Sequence, residues 1–96
     1  MNRDPTREEN EYMARQLAVI LLDRRSYEEI PDEHETVNTH LQEIFNNNMA
    51  TIERKIGRAK IYIMESGLHP YVKTKLIRVL SRERYNKLVN WARHTQ

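Results

Sequence analysis

The sequence predicts an all-α fold, a small bundle of four or five helices in a single domain over residues 1–96. Apolar residues recur every three or four positions along most of the chain, which is the period of a helix. With only two glycines and three prolines, the chain has little material for the many turns of a β-rich fold. A chain of 96 residues has the size of one domain and buries a modest core.

The first helix is predicted from about Thr6 to Arg25, after a frayed terminus at residues 1–5. The sequence from Thr6 to Glu9 has the form of a capping box, in which a hydroxyl and a carboxylate satisfy free backbone N–H groups. Val19 and Leu22 lie off the apolar stripe, so the second half of the helix is expected to be apolar on two sides. The stripe itself consists of Met13, Leu17, Ile20 and Leu21.

A second helix is predicted after Pro31, with Asp32 and Glu35 as its capping residues. Its apolar side contains Val37, Leu41, Ile44 and Phe45. The apolar phase continues through Met49, Ile52, Ile56, Ala59 and Ile63. Asparagine is unfavourable inside a helix, however, and residues 46–48 are all asparagine. The sequence leaves open whether residues 33–65 form one helix or two.

The next turn is predicted at Gly67, as a left-handed C-cap with Leu68 folded back on the helix. A further helix is expected to begin at Pro70, since proline is favoured at the first helical position. Ser81 is predicted to cap or kink the chain before a last helix. The buried residues predicted for these two helices are Val72, Leu76, Val79 and Leu80, then Tyr85, Leu88, Val89 and Ala92, with Trp91 at the margin.

The composition argues against several classes of protein. The chain contains no cysteine, which excludes disulfides, thiolate zinc sites and cysteine nucleophiles. Its longest apolar run, Leu17 to Leu22, is far shorter than the roughly 20 residues of a membrane span. The first residues are polar, unlike a signal peptide. We therefore expect a soluble protein, cytoplasmic or nuclear.

The sequence shows no catalytic pattern. His40 and Glu43 have a helical spacing, but no further histidine completes a metal site. The acidic residues at 28–29 and 32–33 are best interpreted as a solvated connector, and no glycine-rich phosphate loop is present. We expect no enzyme activity, no cofactor, no metal and no small-molecule substrate.

Charge is divided unevenly between the two halves of the chain. Residues 1–53 carry a net charge of −7, and residues 54–96 carry +9. Such asymmetry indicates contact with nucleic acid or an acidic partner, although the two halves could instead attract each other within the fold. Tyr62, Tyr71 and Trp91 could stack on bases or lie in the core. The candidate nucleic-acid-binding residues are Arg54, Lys55, Arg58, Lys73, Lys75, Arg78, Arg84 and Lys87.

Some apolar residues fall on predicted outer faces. Ile61 lies nearly opposite the buried stripe of its helix, which makes sense if a second surface is covered by another helix or by a partner chain. The candidate partner-binding residues are Val19, Leu22, Ile61, Met64 and Trp91.

The segment from Glu53 to about Asn90 contains Glu53-Arg54, Arg58-Ala59-Lys60-Ile61, a basic stretch at residues 71–78, and Leu80-Ser81-Arg82-Glu83-Arg84. It resembles the helical domain of GINS DNA-replication subunits, in which a basic helix leads into a leucine-serine-proline-glutamate turn. Arg82 stands where that family prefers proline. The resemblance implies a non-enzymatic scaffold that binds sister subunits and a replicative helicase.

The sequence thus predicts a helical interaction module that docks onto a larger assembly, such as a DNA-replication or other nucleic-acid-handling complex. Its expected partner is another protein or a second copy of the chain, with DNA or RNA as a further possibility. Two alternatives stay open: a small DNA- or RNA-binding regulator that uses the basic C-terminal half, and a phage-type inhibitor of a host enzyme.

Overall fold

Helices make up most of the part of the chain that is described, residues 5–47 and 49–81 of a computed structural model. They are α1 (Pro5–Leu21), α2 (Asp32–Phe45), α3 (Ile52–Glu65) and α4 (70–81), and these ranges contain no strand. The predicted all-α bundle is therefore confirmed. The predicted last helix, with Arg84, Lys87 and Trp91, lies outside the described residues. Ser81 is the last described residue and is helical, so the cap or kink predicted between it and the last helix stays a prediction.

The four helices bury a shared apolar core, because each presents one stripe of large aliphatic side chains to the others. Among the described residues, the predicted stripe residues other than Met49 contribute to it, and Ile20, Ile44 and Val79 lie at its edge and are only partly buried. The largest apolar side chains that are fully buried are Leu17, Leu21, Val37, Leu41, Phe45, Ile63, Leu76 and Leu80.

Helix α1 differs from the prediction at both ends. It begins at Pro5, so Thr6 lies within the first turn and is not the N-cap of a capping box. It ends at Leu21 rather than near Arg25. The Asp23 carboxylate accepts the backbone N–H of Arg25 at 3.0 Å, which gives the chain a local alternative to helical hydrogen bonding.

The segment between α2 and α3 forms a break, so residues 33–65 are two helices. Asn47 turns the chain by accepting the backbone N–H of Met49 on its side-chain oxygen at 2.8 Å. Thr51 then caps α3, since its hydroxyl oxygen accepts the backbone N–H of Arg54. Met49 is 93% exposed and does not join the apolar stripe predicted to contain it.

The start of α2 also differs from the prediction. Pro31 is the N-cap, and its carbonyl accepts the backbone N–H groups of His34 and Glu35. Asp32 is already helical and is therefore not the N-cap. The acidic residues of this first turn favour the helix through its dipole instead.

The connection from α3 to α4 is closed by side chains. Ser66 caps α3 in an extended conformation, and its hydroxyl donates to the carbonyl of Ile63 at 2.6 Å. Gly67 has no positive φ, so the predicted left-handed cap is wrong. Its backbone N–H donates instead to the Glu33 carboxylate at 3.0 Å. Leu68 is buried, as predicted, and the next helix begins at position 70.

Candidate protein-interaction surfaces

The side of α3 that faces away from the core carries apolar side chains in solvent. Ile61 is 61% exposed and Met64 is 62% exposed. Exposed apolar side chains grouped on one helix face indicate a surface for another molecule. We call this surface the α3 outer face; it consists of Arg54, Gly57, Arg58, Ile61, Met64 and Glu65, which recur at intervals of three or four residues.

Gly57 forms a notch in the α3 outer face. A Cβ atom placed on it would meet nothing within 4 Å apart from its chain neighbours and the backbone of its own helix, so the space above it is open. Arg54 precedes it by nearly one turn and Ile61 follows it by about one turn, so these side chains border the notch. The helix surface therefore has a recess between a basic and an apolar side chain.

A second apolar surface lies where the end of α1 and the following connector meet the start of α4. Val19 is 52% exposed there and Tyr71 is 64% exposed, and between them is a groove of about 280 Å³. Leu22, 39% exposed, follows Val19 by one turn. We call this the α1–α4 groove; it is lined by Val19, Ile20, Asp23, Ser26, Tyr27, Tyr71, Val72 and Lys75.

Charged groups lie along the α1–α4 groove. The Lys75 ammonium sits 5.0 Å from the centroid of the Tyr71 ring, within the range of a cation–π contact. The pKa of Asp23 is below its ordinary value, chiefly because its carboxylate accepts hydrogen bonds from Arg25, with a smaller contribution from the charge of Lys75. The same ion pair raises the pKa of Arg25. The groove thus presents both an anion and a cation beside its apolar walls.

The basic residues predicted to contact nucleic acid do not share one environment. Lys55 is 1% exposed, and its ammonium donates to the carbonyl of Phe45 at 3.3 Å, so its assignment to nucleic-acid binding is wrong. The ammonium of Lys73 donates to the carbonyl of Met64 at 2.9 Å, near the end of α3. The exposed members of the set are Arg54, Arg58, Lys75 and Arg78, while Arg84 and Lys87 lie outside the described residues.

Two of the aromatic side chains proposed for base stacking are described. The ring of Tyr62 stacks on His40, with centroids 4.0 Å apart and planes 23° from parallel. Tyr71 is exposed at the α1–α4 groove. Trp91 falls outside the described range. Of these two side chains, Tyr71 is the exposed one, and the Lys75 ammonium lies beside its ring.

The histidine of α2's first turn has a structural role. His34 is buried, and its Nδ1 donates to the carbonyl of Leu21 at 3.0 Å, because a carbonyl oxygen can only accept. Its ring meets Tyr27 edge-on at 4.9 Å. His34 therefore caps the end of α1.

Within residues 5–47 and 49–81, no cluster of three or more His, Asp or Glu side chains could hold a metal ion. None of the helices in the same ranges combines the length and apolar character needed to cross a bilayer.

The sequence indicated the α3 outer face but not the α1–α4 groove. The position of Ile61 opposite the buried stripe was a sufficient signal for the first. The groove joins residues about 50 positions apart, and only the off-stripe position of Val19 suggested it.

No family model matches the chain, and neither the curated proteins nor the solved structures include a significant match.

Proposed function

We propose that this protein is a non-enzymatic helical interaction module that docks a protein partner in the α1–α4 groove. The observation that carries the proposal is the exposure of Val19 and Tyr71 on either side of an open groove. Apolar side chains left in solvent are stabilised when a partner removes them from water. Leu22 extends the apolar surface by one turn of α1.

The size of the groove favours a protein segment over a small molecule. Its volume of about 280 Å³ is at or below the lower end of small-molecule pockets, roughly 300–1,000 Å³. It can hold one or two side chains of a partner. Interfaces of this kind place an apolar anchor in a pocket and polar groups at its rim. Asp23 and Lys75 can supply those rim contacts.

We further propose that the partner belongs to a larger assembly that handles nucleic acid, such as a DNA-replication complex. This part of the proposal rests on the resemblance to GINS helical domains and on the basic charge of the C-terminal half. A scaffold of that class would hold other subunits together and carry out no chemistry itself.

The experiment is affinity capture with the tagged full chain and matched variants, read out by quantitative mass spectrometry. Val19→Asp and Leu22→Asp place a charge on the apolar surface, and Thr39→Asp places the same charge on an exposed position of α2. We expect at least one protein to be retained by wild type and Thr39→Asp but lost from both other variants. Equal capture by all four chains, each with helical circular dichroism, would contradict the proposal.

Nucleic-acid binding is the second candidate function, because Arg54, Arg58 and Arg78 are exposed and form no ion pair with the carboxylates of the described residues. Fluorescence anisotropy with labelled DNA and RNA at about 50 and 200 mM salt tests it, because phosphate contacts weaken steeply with salt. Binding that is lost when all three arginines become glutamate would support this function. Absence of binding to DNA and RNA at the lower salt concentration would rule out nucleic-acid binding as a function.

A further inference from the structure

We propose that the α3 outer face binds a second copy of this chain, through an antiparallel pair of α3 helices related by a two-fold axis. This surface is separate from the α1–α4 groove, so the proposal goes beyond the docking function and does not depend on it.

The first observation is the glycine in the middle of α3. Glycine lowers the stability of a helix relative to alanine because it has more conformational freedom to lose. The backbone at Gly57 does not have a positive φ, and a Cβ placed there would meet nothing within 4 Å beyond its chain neighbours and its own helix backbone. Neither backbone conformation nor packing in the described part of the chain therefore requires glycine. The open space above it fits the close approach of another molecule.

The second observation is the spacing of charged and apolar residues on the α3 outer face. Arg54 and Glu65 are eleven residues apart, about 16 Å along the helix. In an antiparallel pair that places Arg54 opposite Glu65 of the second copy, Ile61 falls opposite position 58. Each Ile61 then lies against Arg58 of the other copy, one residue from the open space above Gly57.

The register that pairs Arg54 with Glu65 therefore also places Ile61 beside the recess. A two-fold axis makes both contacts twice, because each copy supplies the same patch. Ile61, whose side chain needs space, and Gly57, which leaves space, both lie on the α3 outer face. This self-complementarity distinguishes a second copy from an acidic partner helix, which would explain the arginines but not the spacing between Ile61 and Gly57.

The expected dimer is weak. A single pair of 14-residue helices buries less area than the roughly 1,600 Å² of a standard stable interface. The two Arg58 guanidinium groups also approach each other near the axis. We therefore expect dissociation constants in the micromolar range and a monomer–dimer equilibrium.

Sedimentation equilibrium of the full chain over micromolar to submillimolar concentrations measures this equilibrium. Gly57→Gln fills the recess with a better helix former. We expect at least a tenfold loss of dimer affinity with a melting temperature, measured in dilute solution, equal to or above that of wild type. The separation of these two results excludes unfolding as the cause. Thr39→Gln on α2 is the control, with unchanged affinity.

Charge reversal tests the register itself. Arg54→Glu places an acid in the first turn of α3, and Glu65→Arg places a base in its last turn, so the helix dipole favours both changes. Each variant alone opposes like charges in the pair and should be monomeric. Their mixture restores two opposite-charge contacts and should form a heterodimer, as should the double variant with itself.

The proposal is overturned if wild type is monomeric throughout the range, if Gly57→Gln dimerises as well as wild type, or if the mixture of charge-reversed chains stays monomeric. A monomeric chain that still loses its captured partner on Val19→Asp would refute the dimer and leave the docking function intact. If the chain dimerises but Val19→Asp captures the same proteins as wild type, the docking function is refuted and the dimer stands.

Discussion

Lys55 should be a stability residue and not a surface charge. Its side chain is 1% exposed and its ammonium donates to the carbonyl of Phe45, at the end of α2. Lys55→Ala removes three buried methylene groups, worth about 0.8 kcal/mol each. It also leaves the Phe45 carbonyl without this donor, at about 1–3 kcal/mol. Because removal of a buried ammonium returns part of its desolvation energy, we expect a net loss of about 3 kcal/mol.

Two further variants separate the contributions at this position. Lys55→Met keeps an apolar stem of similar length and should lose only about 1–2 kcal/mol, mostly the hydrogen bond. Arg54→Ala removes the neighbouring exposed cation and should change the free energy of unfolding by no more than about 0.5 kcal/mol. Urea denaturation followed by far-ultraviolet circular dichroism measures all three. If Lys55→Ala matches Arg54→Ala, the assignment of Lys55 to the interior is refuted.

Two further predictions concern the stability contribution of His34 and the pKa of Asp23. His34→Ala should lower the free energy of unfolding by about 2 kcal/mol, because it removes the donor to the Leu21 carbonyl and the ring packed on Tyr27; an unchanged urea midpoint would contradict this role. Arg25→Gln should raise the pKa of Asp23 toward its ordinary value, as measured by carboxyl NMR titration. Folding lowers the pKa of Asp23, so its ionised carboxylate stabilises the fold at any pH above the ordinary pKa. This contribution is lost as the pH falls through the lower pKa of the folded state. A pKa of Asp23 that does not respond to the change would show that the hydrogen bonds from Arg25 do not control it.

The sequence predicted the helices and most of the core because the period of apolar residues is a property of each helix alone. Positions such as Leu41 and Leu76 follow from that period without knowledge of the neighbouring helices. The outward position of Ile61 follows from the same argument. These features are local, and the structure agrees with them.

Features that depend on contacts between distant segments were missed. Lys55 is one residue from the exposed Arg54, and its long stem is buried while its ammonium donates to the carbonyl of Phe45 on another helix. The Gly67 N–H is satisfied from α2 by the Glu33 carboxylate, 34 positions away. Glycine is the usual signal for a left-handed cap, so the sequence pattern gave the turn but the wrong conformation.

The bond between the Glu33 carboxylate and the Gly67 amide joins residues 34 positions apart and closes the α2–α3 pair at its open end. Gly67 itself lies at the surface, where an unbonded amide would exchange its hydrogen with water rapidly. Exchange at this one amide therefore reports how often the start of α2 separates from the end of α3. It measures the local opening of the hairpin independently of the global unfolding of the bundle.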